Sequence, residues 1–164
     1  MRCVYFVLAL SVLTASSWGL GTRGVSAQVS EETVEKARRY FKQGLAFAKS
    51  NRWEKALASF RRSAELAPRA STSYNIANAL YRLDRPVEGL AELDRYDALS
   101  EVRYTYAHQL RGEELRELIE QAVAEVELEV TPEDAHLFVD GTLLPSLGVQ
   151  RRLRLNPGTH SLRL

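Results

Sequence analysis

Residues 40–66, YFKQGLAFAKSNRWEKALASFRRSAEL, lie over residues 73–99, SYNIANALYRLDRPVEGLAELDRYDAL, at a shift of 33 positions, and their small and apolar residues coincide. Gly44 falls on Ala77, Phe47 on Leu80, Trp53 on Pro86, Ala56 on Gly89, Leu57 on Leu90, Phe60 on Leu93 and Leu66 on Leu99. An internal repeat of this length constrains the fold more than any other feature, because neither copy can bury its apolar side alone and the two must stack. Within each copy the apolar residues recur at the helical period and break once, at KSNRW and at RLDRP. Each copy therefore predicts a helix, a tight turn and a second, antiparallel helix. Gly44, Ala77, Ala56 and Gly89 are small where two helices cross closely, and Phe47, Phe60, Leu80 and Leu93 fill the space around the crossing. Pro68 ends the second helix of the first copy, since it has no amide hydrogen and its ring clashes with the turn before it.

These residues resemble the tetratricopeptide repeat, closely over 37–70 and more loosely over 71–99. Gln43 stands where the family usually has leucine, Gly89 where it prefers alanine, and no proline follows Leu99. The resemblance implies inner helices lining a groove that holds an extended peptide or a partner helix. Carried over position by position, the groove residues are Phe41, Lys42, Leu45 and Lys49 in the first copy, and Tyr74, Asn75, Asn78, Tyr81 and Arg82 in the second. Asn75, Asn78 and Arg82 share one helical face, where amides and a guanidinium could hold a peptide backbone or carboxylate. The plainer reading is a solvated face with an asparagine bonded to its own helix. Phe41 and Leu45 occupy the places where carboxylate-clamp members of the family carry lysine and asparagine, which argues against such a clamp.

Two stacked copies still leave an apolar side open, so a cap is required. In YAHQLRGEELRELIEQAVAEV, Leu110, Leu115, Leu118, Ile119, Ala122 and Val123 form a stripe opposite Glu113, Glu114, Arg116, Glu117, Glu120 and Gln121. That pattern predicts a capping helix within 101–125, with Gly112 as its weak point.

At Glu125 the period changes from helical to alternating: EVELEV sets Val126, Leu128 and Val130 against three glutamates. TPED is expected to turn the chain and AHLFVD to run back, with Asp140-Gly141 as a hairpin turn. RRLRL and HSLRL are expected to pair across NPGT, where Pro157 and Gly158 preset the turn angles. Arg152, Arg154 and Arg163 alternate with leucines as Glu125, Glu127 and Glu129 alternate with their apolar neighbours, so cross-strand charge pairs are expected before any ligand surface. Residues 126–164 resemble a PEGA domain through Pro132, Glu133 and Ala135, with Asp134 replacing the motif's glycine, through VDG at 139–141 and through L-x-PG-x-H at 155–160. This resemblance implies a small antiparallel β-sandwich of exported bacterial envelope proteins, often following tetratricopeptide repeats, with a role in surface or polymer attachment and no chemistry. The family continues with another strand or two, so the chain reads as a fragment of a longer protein. If Leu164 is the true end, HSLRL is a bare edge strand.

Arg2, the apolar run Val4 to Leu13, and Val25 and Ala27 before Gln28 read as a cleaved secretory signal over 1–27. The run is shorter than the about 20 apolar residues a membrane span needs, and no spanning segment is expected in the mature chain. Cys3 is the sole cysteine and lies in that leader, so the exported fold rests on packing without disulfides. Removing 1–27 takes Arg2 and Arg23 from 22 basic residues and none from 21 acidic ones, leaving a formal net charge of −1 that disfavours wholesale nucleic-acid or anionic-membrane binding. Asp134, His136 and Asp140 lack the spacing of a recognised metal site, and neither a glycine-rich phosphate loop nor a nucleophile elbow is present. No catalysis, metal or cofactor is expected. The sequence thus reads as a mainly α chain with a small β module: a signal over 1–27, two repeats over 31–99, a capping or linker helix over 101–125 and an incomplete β module over 126–164. The expected role is a non-enzymatic protein-interaction scaffold of the bacterial cell envelope or periplasm with a protein or peptide partner. The alternative is a carbohydrate- or surface-attachment module acting through the β segment, with a polysaccharide partner.

Overall fold

A computed structural model describes residues 30–100, 106–129, 136–144 and 150–164; the signal expected over 1–27 and the turn expected at Pro132, Glu133, Asp134 and Ala135 lie outside them. The helical half comprises α1 (Glu31–Lys49), α2 (Trp53–Leu66), α3 (Ala70–Tyr81), α4 (Pro86–Leu99) and α5 (Tyr106–Ala122). Ser30 starts α1 by accepting the Thr33 amide on its hydroxyl at 3.2 Å, and Glu31 and Glu32 follow where the helix dipole favours acids.

The internal repeat is reproduced bond for bond in the two inter-helix turns. The Arg52 amide donates to the Phe47 carbonyl and the Arg85 amide to the Leu80 carbonyl, both at 3.0 Å. Asn51 and Asp84, again 33 positions apart, take left-handed φ values of 54° and 57°, a conformation their short polar side chains tolerate better than most. Trp53 and Pro86 then open α2 and α4, and proline suits a first helical position whose amide has no partner anyway.

Packing explains the small residues. A Cβ on Gly44 would lie 2.5 Å from the Phe60 ring, so only glycine lets α1 close onto α2. Phe60, Ile76, Leu80, Ala56 and Leu57 form one buried cluster; Ala77, Leu90, Leu93, Tyr96, Leu115 and Ile119 form the next, with α5 covering α4. Gly89 departs from the alanine preferred at its position because α5 sits over it: an added Cβ would meet Ile119 Cδ1 at 3.2 Å. Gly112 is a close-contact position, since its Cβ would lie 2.7 Å from the Tyr96 ring. The apolar stripe also narrows, with Leu115 and Ile119 buried but Leu110 42% and Leu118 50% exposed, because α5 packs along α4 on one edge of that stripe.

The strand half begins one residue before the expected period change. β1 (Ala124–Glu129) pairs antiparallel with β4 (Gln150–Leu155), while β2 (Phe138–Val139) is flanked by β3 (Thr142–Leu143) and β5 (Leu162–Arg163). Asp140 and Gly141, with φ of 50° and 80°, form the expected hairpin turn between β2 and β3. The expected pairing of the other strands is corrected: β1 does not run back against AHLFVD, and β4 does not pair with β5. The NPGT turn instead carries the chain from one sheet to the other. This arrangement lets Leu128, Leu153 and Leu155 of the first sheet pack with Leu137, Val139 and Leu144 of the second, which local hairpins would not do. In the β1–β4 register Glu125 faces Arg154 and Glu127 faces Arg152, with closest N–O distances of 3.2 and 3.9 Å, so that part of the charge ladder forms. Arg163 leaves the ladder for the other sheet, its guanidinium 4.9 Å from the centre of the Phe138 ring. HSLRL contributes only Leu162 and Arg163 to that sheet's edge.

A polar chain joins the two halves. The Val87 amide in the first turn of α4 donates to Asn156 Oδ1 at 3.0 Å, and α4 has no side-chain cap from its own preceding residue. The NPGT turn therefore caps a helix 69 residues earlier in sequence. His160 holds that turn: Nδ1 lies 2.6 Å from Asp140 Oδ2 and Nε2 lies 2.7 Å from the Asn156 carbonyl oxygen. A carboxylate and a carbonyl are both acceptors, so the ring satisfies both only as the doubly protonated imidazolium. Its pKa is accordingly raised, first by Asp140 and then by the Asn156 carbonyl. Asp140 is lowered by His160 and by the Ser161 amide, which it accepts at 2.9 Å.

Candidate docking face

Two adjoining recesses lie on the side of the molecule shared by α1, α3 and α5. The first, about 200 Å³, is lined by Ala37, Arg38, Phe41 and Lys42 of α1, Ser63 of α2, Arg69, and Ser71 and Thr72 of α3. Its wall is fixed from behind: Ser63 donates to the Ala37 carbonyl at 2.9 Å, and the Phe41 ring tilts against Phe60 at 5.7 Å. The second, about 280 Å³, is lined by Ser71, Tyr74 and Asn75 of α3, Tyr96 of α4, and His108 and Arg111 of α5. Tyr74 of α3 tilts against Tyr96 of α4 at 6.0 Å, and the Tyr96 hydroxyl donates to the His108 carbonyl at 2.7 Å, which fixes α5 beside α4. Ser71 lines both recesses, which therefore adjoin.

The expected groove residues divide. Phe41, Lys42, Tyr74 and Asn75 line these recesses. Leu45 and Tyr81 are instead partly buried against the hydrophobic clusters. Lys49 is exposed in the last turn of α1, Asn78 is half-buried, and Arg82 places its guanidinium 5.7 Å from the Trp53 ring centre. Asn75 donates to the Ser71 carbonyl at 2.7 Å, so the plainer reading of an asparagine bonded to its own helix holds for that residue.

Arg38, Arg69, Tyr96, His108 and Arg111 are wall residues that the sequence reading missed. Arg38 was within reach, since it sits four residues before Lys42 on the same helical face. Arg69 precedes α3 and Arg111 belongs to the cap, and only the stacking of helices distant in sequence brings them beside Phe41 and Tyr74.

The described lining of the two recesses carries the basic side chains Arg38, Lys42, Arg69 and Arg111, with His108, and among the described residues it includes no Asp or Glu. Arg38 is ion-paired with Glu35 on its own helix, whereas Lys42, Arg69 and Arg111 have no carboxylate partner among the described residues. A larger opening of about 680 Å³ between α2 and α4 is balanced instead, with Arg61 and Arg95 beside Glu65 and Glu92. Among the described residues no cluster of three or more His, Cys, Asp or Glu could hold a metal ion, and no helix is long and apolar enough to cross a membrane.

Residues 37–70 match the family model described as tetratricopeptide repeat, which spans most of α1, all of α2 and the start of α3. Repeats of this family generally mediate protein–protein interactions. No curated protein and no solved structure matches the chain. The PEGA resemblance of 126–164 rests on the sequence alone.

Proposed function

We propose that the protein is a non-enzymatic interaction scaffold of the bacterial cell envelope, exported by the 1–27 leader, and that it docks a segment of a partner protein on the face shared by α1, α3 and α5. The observation that carries this reading is the pair of adjoining recesses on the first helix of each hairpin and on the capping helix, the side on which repeats of this kind receive ligands. Phe41 and Tyr74, anticipated as groove residues, stand in their walls. Capping by Asn156 fixes the strand half to the start of α4, so the β module serves as a support for the repeat.

Site-specific photo-crosslinking from position 42 in the full chain, expressed with its leader in a bacterial host, tests the reading. The expected result is a discrete adduct in the envelope fraction that is absent when the crosslinker stands at position 61, on the balanced opening. Adducts equal from both positions, or none from position 42, would overturn it. Intact mass of the exported chain should place its first residue at Gln28.

A further inference from the structure

We propose that His160 is a proton-controlled latch between the strand module and the helical repeat: with the imidazolium in place the NPGT turn caps α4 and the halves stay docked, and loss of the proton lets them part. Among the described residues the joint is thin. Each hydrophobic cluster lies wholly within one half, and so does each ion pair. The chain itself crosses at Val123, between α5 and β1. Beyond that covalent link, the one hydrogen bond between described residues of the two halves is the Val87 amide to Asn156 Oδ1 at 3.0 Å. It satisfies a first-turn amide that has no partner within its own helix.

That bond depends on a ring that cannot lose its charge without losing a contact. His160 stands between two acceptors, with Nδ1 2.6 Å from Asp140 Oδ2 and Nε2 2.7 Å from the Asn156 carbonyl oxygen. A neutral imidazole has a single N–H, so one of its nitrogens must turn a lone pair toward an oxygen. The carboxylate is the stronger acceptor and keeps the proton. Repulsion then falls on the Asn156 carbonyl, in the residue whose side chain caps Val87. Neighbouring charges do not offset it: Asp140 is the charge that acts on the ring, and Arg163 lies over Phe138. On the α4 side, Arg85 and Glu88 bond one another through two contacts of 2.7 Å. The coupling is reciprocal, so if deprotonation weakens docking, undocking must lower the proton affinity of His160 by the same factor. The halves should hold together below pH 6.5 and part as pH rises through the raised value of the ring.

Amide exchange in the full chain, read by NMR as protection factors so that the ordinary alkaline acceleration cancels, tests the latch. Protection at Val87 should fall at least about fivefold from pH 5.5 to 8.5, while Leu93 in the middle of α4 changes by less than about twofold. His160→Gln should flatten the Val87 profile, whereas His136→Gln, at an exposed histidine of the same half, should leave it unaltered. Asp140→Asn, which suits the left-handed backbone at that position, should move the transition to lower pH. Asn156→Ala keeps the carbonyl beside the ring but removes the cap, and should lower the pH at which the His160 ring protons titrate. Spin labels on Glu54→Cys and Thr142→Cys, in a chain carrying Cys3→Ser, should give one distance at the acidic pH and an added, broader set at the alkaline one. Circular dichroism should be the same at both, which separates parting from unfolding. A flat Val87 profile in the unsubstituted chain, an Asn156→Ala variant whose His160 titrates as before, or a label distance that stays single would overturn the latch and leave His160 as a brace of its own turn. Loss of the sheet signal together with Val87 protection would overturn it as well, since the strand half would then be unfolding and not undocking.

Discussion

The helical and strand halves of this chain are held by different means. In the helical half, Phe60, Ile76, Leu80, Leu93 and Ile119 are each at most 2% exposed, and close helix crossings are enforced by glycine at Gly44, Gly89 and Gly112. Among the described residues of the strand half only Leu137, Val139 and Leu153 are buried, and much of the remaining order comes from side chains that bridge turns. A packed apolar core tolerates changes of pH and salt, whereas a turn network of His160, Asp140 and Asn156 does not. The comparison teaches that the rigid platform is the helical repeat and that the conditional part is its attachment to the sheets.

The largest break in that comparison is Phe60→Ala. The ring is 1% exposed and lies against both Gly44 and Phe41, so its removal should cost about 3–5 kcal/mol and lower the urea midpoint of the whole helical signal. Gly44→Ala should also destabilise, because its methyl would stand 2.5 Å from that ring, and Phe60→Leu should recover part of the loss. Leu153→Ala, in the smaller cluster, should cost about 2–3 kcal/mol while leaving the helical circular dichroism near its original midpoint. Coincident loss of both halves on Leu153→Ala would show that they unfold as one unit.

The joint between the halves gives the next effect. Asn156→Ala should remove about 1 kcal/mol, the usual value of a helix cap, and its signature should be faster hydrogen exchange at Val87 than elsewhere in α4. pH acts on the same joint from two sides. His160 has its pKa raised above 6.5 by Asp140, so its contribution is fully present below 6.5 and is lost as pH rises through the raised value. Asp140 has its pKa lowered below 3.8 by His160, so its contribution is present above 3.8 and is lost as pH falls through the lowered value. The strand half should thus be most stable from about pH 4 to 6.5, with an alkaline decline that His160→Gln abolishes. Ring-proton NMR of His160 checks the direction: Asp140→Asn should bring its titration down toward the ordinary value.

Much of this architecture could be read from the residues, and the parts that could not share a physical cause. The 33-position repeat specified both helical hairpins, their turns and their small residues, because helix packing is set by neighbours in sequence. The family model matches only 37–70, yet Asp84 and the Arg85–Leu80 bond repeat the first turn in the second hairpin. Strand partners were legible only where a two-residue turn fixed them, at Asp140-Gly141. The β1–β4 and β2–β5 pairings join segments separated by long connections, and alternation tells which face is apolar without telling which strand lies alongside. For the docking face, Phe41, Lys42, Tyr74 and Asn75 followed from repeat position. Arg69 and Arg111 did not, because their place beside those residues is created by α3 and α5 stacking.

The smallest expected effect is also the most discriminating for the strand half. Glu125 and Arg154 face one another across β1 and β4 at 3.2 Å, but their side chains are 61% and 59% exposed. Water and salt screen such a pair, and ordering two long side chains offsets part of the attraction, so a double-mutant cycle should give a coupling of about 0.2–1 kcal/mol that falls as salt rises. Glu127 with Arg152, more open at 3.9 Å, should couple less. A coupling of several kcal/mol at either position would mean that charge pairing, and not the Leu137, Val139 and Leu153 cluster, holds the two-stranded sheet together, and that both halves of the molecule cannot then be ranked by their buried cores.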